Sequence, residues 1–258
     1  MSVNQLLEDW MTSNFPDFET IQHMEDESEI RQRDLFNNTT SLYRQLGAIL
    51  YECNDEEPCM NAACPVCFRE YRKQIIYDTL QSIDNINDYC IVTIIFYRDA
   101  MTNRDITKAN ILRIKNKLYQ QLNRIGFNNH IIGSIEFDYH CDIEKWIPHF
   151  HLLVKKDKNR LYKLNEYMSK PNNLNTRNGV TDKPMKVQDL KDPVKQISYL
   201  FKAYAKELVA YRDRNNKRRN RAVRLKGNKH CLYLNIRSEL KHSGLLFSYG
   251  TNKCKRRY

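Results

Sequence analysis

Apolar and polar positions alternate along this chain with two periods, and the places where the period changes outline the elements. Leu6, Leu7, Trp10 and Met11 recur at helical spacing, which predicts a helix over residues 6–15. The acidic stretch that follows, to about Asn38, predicts a surface segment, and residues 41–51 a second helix. Residues 69–83 predict another helix, rich in arginine at its start. Cys90-Ile-Val-Thr-Ile-Ile-Phe-Tyr97 is β-branched and aromatic and predicts a central strand. Ile111, Ile114, Leu118, Leu122 and Ile125 form one stripe of a long amphipathic helix over 105–125. Residues 131–139 and 146–155 predict two strands, with 138–145 as a hairpin connection. Residues 160–184 read as loop, including Pro171-Asn-Asn and Arg177-Asn-Gly, with a short helix at 161–168. Asp192 and Pro193 suit the start of a helix running to Tyr211. Residues 231–237 predict a fourth strand and 245–249 a fifth. The order β–α–β–β–α–β predicts an α+β fold, a central antiparallel sheet with flanking helices.

Charge sharpens this outline. The 258 residues carry a formal net charge of +11, distributed unevenly. Residues 1–32 hold Glu8, Asp9, Asp17, Glu19, Glu25, Asp26, Glu27 and Glu29 against Arg31 alone, whereas 212–229 hold nine basic residues against Asp213. The tail, Lys253-Cys-Lys-Arg-Arg-Tyr258, is basic as well. A basic C-terminal third is the electrostatic footprint of a phosphate-backbone partner. Sixteen tyrosines and ten phenylalanines supply ring faces for unpaired bases, although most are expected in the core. No apolar run approaches the roughly 20 residues of a membrane span, and the first residues lack the basic head and apolar stretch of a signal peptide. The expectation is a cytoplasmic protein with no membrane partner. Composition divides the chain into an acidic helical segment (1–50), a Cys-rich element with its helix (51–84), a main domain (85–211) and a basic C-terminal region with closing strands (212–258).

Two clusters carry candidate chemistry. Cys53, Cys59, Cys64 and Cys67 place four thiols within fifteen residues. Cys64-Pro-Val-Cys67 has the spacing of a zinc knuckle, so Zn²⁺ is the expected structural ion. A redox Cys-x-x-Cys lacks the βαβ surroundings it would need. Cys90, Cys141, Cys231 and Cys254 are scattered and expected to be inert. The second cluster is Pro148-His149-Phe150-His151-Leu152. In a strand, His149 and His151 point to one face and Phe150 to the other. Two imidazoles and a carboxylate suit Mg²⁺ or Mn²⁺. Glu136, on the strand expected to pair with the histidine strand, is the candidate third ligand, and Asp138 two residues on is the alternative.

An apolar, Thr-containing strand (91–96), then His149-Phe-His151, then Tyr199-Leu-Phe-Lys202, in this order, resembles the HUH endonucleases. The likeness is specifically to rolling-circle replication initiators of plasmids and filamentous-type phages, and it covers residues 88–211. It implies an HUH endonuclease-like sheet and a metal-dependent enzyme that nicks and rejoins single-stranded or hairpin origin DNA through a 5′-phosphotyrosine. Tyr199 is then the nucleophile and Lys202 its neighbour on the helix face. Tyr204, five positions on, faces elsewhere on a continuous helix and is the alternative nucleophile. A Cys-Pro-x-Cys element followed by an Arg-rich helix resembles some plasmid initiators and implies DNA contacts by Arg69, Arg72 and Lys73. Lys217, Arg218, Arg219, Arg221 and Arg224 are the expected contacts of the basic run. With no Gly-x4-Gly-Lys-Ser/Thr phosphate loop in the sequence, a host helicase and polymerase are the expected partners, in a bacterial cell carrying a plasmid, phage or other mobile element. An HUH-type transposase or mobilisation relaxase keeps the same chemistry. A non-catalytic zinc-dependent DNA-binding regulator is the alternative of another class. An unrelated metallohydrolase would need further ligands, for which His230 is the obvious spare.

Overall fold

The structure, a computed structural model, describes residues 8–11, 13, 18–174 and 183–250. Leu6, Leu7, the Arg177-Asn-Gly turn, Cys254 and the basic tail lie outside the described residues.

Among the described residues, 8–11 and 13 are helical, within the helix expected at 6–15, and three further α-helices precede the sheet: α1 (Ile21–Phe36), α2 (Ser41–Tyr51) and α3 (Pro65–Gln81). The acidic surface segment is therefore a helix. Thr20 caps α1 by accepting from the His23 amide, and Met24, Glu27, Arg31 and Leu35 form its buried face. Then come β1 (Tyr89–Ile95), α4 (Lys108–Arg124), β2 (Ile131–His140), β3 (Lys145–Lys155), α5 (Lys158–Met168), β4 (Met185–Asp189), α6 (Pro193–Leu200), β5 (Lys206–Arg212), β6 (Arg218–Arg224), α7 (Gly227–Leu245) and β7 (Leu246–Tyr249). The class is α+β, a seven-stranded sheet flanked by helices, in the order β4-β1-β3-β2-β5-β6 with β7 also on β2.

Three expectations fail here. The sheet is mixed rather than antiparallel, because β5 runs parallel to β2 at Tyr139 and His140. The expected helix over 192–211 stops at Leu200. Phe201 leaves the helical region and buries its ring, and the chain continues into β5, which pairs with β6 along its whole length. The expected strand at 231–237 is part of α7, a helix kinked at Lys241; Cys231, Tyr233, Leu234, Ile236 and Arg237 are all buried, so its apolar run reflects burial on several sides.

Strand alternation sorts the two faces of the sheet. Ile94, Ile135, Phe137, Phe150 and Leu152 face the main core with α2, α4 and α7. Thr93, Glu136, His149 and His151 face the other side, where Ile75, Ile76, Ile91, Leu153, Ile197 and Leu200 build a second apolar cluster with α3 and α6. The histidines thus sit under α6. Gly133 allows β2 to approach β3 closely there, since a Cβ at that position would meet the His151 carbonyl oxygen at 1.9 Å. No helix among the described residues is long and apolar enough to cross a membrane.

Candidate functional site

The register of the hairpin β2–β3 sets Glu136 opposite His149 and Ser134 opposite His151, and β1 sets Thr93 opposite His151 on the other side. Glu136 Oε2 lies 3.4 Å from His149 Nε2 and 3.6 Å from His151 Nε2. Octahedral ligands at about 2.1 Å from an ion are about 3 Å apart along an edge, so a modest contraction would bring these atoms into a metal's coordination shell. Both imidazoles are oriented from behind. His149 Nδ1 is 3.2 Å from the Ile147 carbonyl, which can only accept, so that nitrogen carries the proton and Nε2 faces the carboxylate. His151 Nδ1 is 3.1 Å from Thr93 Oγ1, and its Nε2 is buried without a hydrogen-bond partner, as is Glu136 Oε1. Buried polar atoms that lack a hydrogen-bond partner and lie in one group of side chains fit a metal-ligand set. Thr93 belongs to the candidate site and was not singled out from the sequence; the signal was its position opposite His151 once the strands are paired.

The electrostatics are tightly balanced. Burial would raise the Glu136 carboxyl, but Lys202, His151 and His149 outweigh it and hold it at about 2. Burial pulls His151 down to about 4, so that ring is neutral at pH 7. Burial also opposes charge on His149, and Glu136 and Asp138 overcome it and raise that ring above its ordinary value. Lys202 Nζ stands 2.5 Å from Glu136 Oε2. Asp138 is the outer carboxylate, 3.9 Å from His149 Nε2 and accepting from the Lys206 amide at 2.8 Å.

Tyr199 and Tyr204 part company in three dimensions. The Tyr199 ring is 5.1 Å from the His151 ring, centroid to centroid, and Lys202 Nζ is 5.0 Å from the Tyr199 centroid. Tyr199 is 51% exposed, so its phenol lies at the open lip of the site. Lys202 reaches the site from the segment after α6 and not from a shared helix face, which corrects the helical argument for both Lys202 and Tyr204. Tyr204 packs on Arg31 and contacts Met24 Sδ on the far side of that segment, with its phenol pushed up to about 12 chiefly by burial.

The expected basic surface of α3 is not a surface. Arg69, Arg72 and Lys73 are buried beneath the acidic N-terminal segment. Arg69 pairs with Glu8 through both Nη atoms, at 2.6 and 3.0 Å, Lys73 with Glu8 at 2.9 Å, and Arg72 with Glu19. Arg72 Nη2 also donates to the Ser198 carbonyl and hydroxyl, both at 3.0 Å, which ties α3 to α6. Buried charges need partners, and these arginines have them within the chain. The remaining basic residues lie on the β5–β6 hairpin. Arg218 pairs with Asp142, Arg219 with Asp213 and Arg224 with Glu27, while Lys217 and Arg221 are exposed. His230, the spare ligand, is bound to Asp34 at 2.6 Å and lies outside the histidine site.

The four cysteines converge as their spacing predicts. Cys53 follows α2, Cys64 is the N-cap of α3 and Cys67 lies in its first turn. Sulfur–sulfur distances are 3.5 Å for Cys53–Cys67 and 3.7 Å for both Cys59–Cys67 and Cys53–Cys64. A tetrahedral Zn–S4 centre with bonds of about 2.3 Å has edges of about 3.8 Å, so the four sulfurs can hold a metal ion such as zinc. The Cys59 sulfur pushes the Cys64 thiol up to about 12, so four thiolates need a cation among them. No family model, curated protein or solved structure matches this chain.

Proposed function

We propose that this chain is a divalent-metal-dependent, single-strand DNA nicking and joining enzyme of the HUH type, acting as a rolling-circle replication initiator. The observation that carries the reading is the convergence of Glu136, His149, His151, Lys202 and the Tyr199 ring on one face of the sheet. His149, His151 and Glu136 would hold Mg²⁺ or Mn²⁺, which supplies Lewis-acid polarisation of the scissile phosphate. Tyr199 attacks phosphorus through its phenol oxygen, the bond to the 3′-oxygen breaks, and the products are a 5′-phosphotyrosine and a free 3′-hydroxyl. Attack of a 3′-hydroxyl on the same phosphorus reverses the step and rejoins the strand, so bond energy is conserved. Lys202, between the carboxylate and the phenol ring, steadies the developing phenolate. The exposure of Tyr199 lets a strand approach, and the unpaired basic residues of the β5–β6 hairpin attract it.

The test is covalent capture. Single-stranded DNA spanning the replicon's candidate origin is incubated with the protein and Mn²⁺, and an adduct that survives boiling in detergent is sought. The expected adduct maps to Tyr199 by mass spectrometry, disappears with chelator and is absent from Tyr199→Phe. An adduct on Tyr204 would move the nucleophile. The four-cysteine cluster favours one other reading, a zinc-dependent DNA-binding regulator; tight binding with no adduct on any strand, and no effect of Tyr199→Phe, would establish it instead.

A further inference from the structure

A cavity of about 300 Å³ opens between α1, α7 and the base of the β5–β6 hairpin. That is the lower end of the size range of ligand sites and holds one nucleotide-sized group, not several. Its mouth is formed by Lys206, Ala222 and Arg224, all exposed, and its walls include the rings of Tyr204, Tyr233 and His230. From these features we propose that the cavity receives one unpaired nucleobase of the substrate strand, next to the nucleotide being cut. The proposal rests on the reading of the chain as a single-strand DNA enzyme and adds a base-binding subsite to it.

Three observations select a base over other occupants. First, the cavity is not an anion site. Arg31 and Arg224 both pair with Glu27, at 2.7 and 2.6 Å, so their charge is already used, and a phosphate would meet the Glu27 carboxylate as well. Second, the polar groups suit a base edge. The Asp34 carboxylate accepts a hydrogen bond from His230 Nδ1–H at 2.6 Å, and burial with the nearby Arg31 and Arg224 lowers the ring's pKa, which leaves Nε2 as an acceptor. The Tyr204 hydroxyl donates to Met24 Sδ at 3.8 Å, and its oxygen remains an acceptor for an exocyclic amino group. Tyr204 also offers a ring for stacking, the sequence-tolerant interaction that holds unpaired bases.

Third, one residue that lines the cavity, Lys206, is hydrogen-bonded to the carboxylate beside the histidines. The Lys206 amide at its mouth donates to Asp138 Oδ1 at 2.8 Å, and Asp138 Oδ2 is 3.9 Å from His149 Nε2. Asp138 therefore bridges the Lys206 backbone and His149, which places the cavity lining near the candidate ligands. Beyond the mouth, the exposed Lys217 and Arg221 of the hairpin continue the basic path for the backbone.

The test compares affinities of the full chain for fluorescein-labelled dA15, dC15, dG15, dT15 and an abasic 15-mer by anisotropy. The wild type is expected to bind at least one homopolymer roughly tenfold or more tighter than the abasic strand. Ala222→Trp, which plugs the mouth from an exposed position, is expected to remove most of that preference while leaving abasic binding unchanged. Tyr204→Leu, which removes the stacking ring and keeps an apolar side chain in the wall, should do the same. His151→Ala should keep the preference, because the subsite does not depend on the ion. Retention of the preference in both Ala222→Trp and Tyr204→Leu, with DNA binding intact, would overturn the subsite and leave the nicking reading standing. Absence of binding to every strand would overturn both.

Discussion

The four-cysteine cluster and the Glu136–His149–His151 site both gather metal-ligating atoms, and they are built in opposite ways. The cysteines come from one stretch of fifteen residues around a helix N-terminus, and their sulfurs close on one another with near-tetrahedral edges. The histidine site draws its groups from three strands and the segment after α6, includes only three candidate ligands, and adds a lysine and an exposed phenol beside them. A closed four-sulfur set has no position for substrate and suits a structural ion. A three-ligand set with open sides suits chemistry. The two arrangements differ in what they leave open: the first is closed and joins the end of α2 to the start of α3, and the second has an exposed phenol at its edge.

Four measurements test the roles of these side chains. The largest effect is expected at the cysteines. Cys64→Ser, or zinc removal by a chelator, should cost at least about 3–5 kcal/mol and lower the melting temperature by roughly 10 °C or more. Thermal melts with parallel zinc analysis check this, and a zinc-free protein with an unchanged melt would remove the structural role. His151→Ala should do the reverse. Metal-dependent adduct formation is expected to fall by roughly a hundredfold or more, while the melting temperature moves by only a few degrees. A large drop in stability with normal adduct yield would exchange the roles of the two sites.

Thr93→Val probes the support behind His151. Loss of that hydroxyl is expected to weaken divalent-ion affinity by roughly 10–100-fold, with adduct formation recovered at higher Mn²⁺; an unchanged Mn²⁺ titration would show that Thr93 does not orient the ring. The smallest effect concerns His242, which stacks on Tyr71 at 4.4 Å and is held at about 4 chiefly by burial. The unfolded chain binds this proton more readily, so its contribution is complete above about pH 6.5 and is lost as pH falls toward 4. At pH 5 the loss is about 1–2 kcal/mol. His242→Phe should flatten urea-melt stability across that window without changing it at pH 8, and an equal slope in both proteins would refute the assignment.

Much of the histidine side was legible in the sequence because strand pairing there is local. The alternation in β2 and β3 places Glu136, His149 and His151 on one face, and the hairpin between them fixes the register. The cysteine spacing was legible for the same reason. The hairpin β5–β6 was not. Lys-Glu-Leu-Val-Ala-Tyr-Arg contains good helix formers, and only its pairing with Arg218–Arg224 through a turn capped by Asp213 makes it a strand. The fate of Arg69, Arg72 and Lys73 was equally hidden. As a run they look like a surface for phosphates, yet Glu8 and Glu19, roughly fifty to sixty positions away, bury them.

Neighbouring residues alone therefore encode helix α4, strands β1 to β3, the two-faced histidine strand and the four-thiol cluster. Periodicity and short spacings encode these because each depends on a few consecutive dihedrals and on one buried face. The tertiary structure alone decided where α6 ends, that Lys202 meets Glu136, that Tyr199 and Tyr204 lie on different sides, and that α3 turns its cations inward. Those outcomes follow from partners distant in the chain, and a charge or a phenol carries no local signal of the partner it will meet.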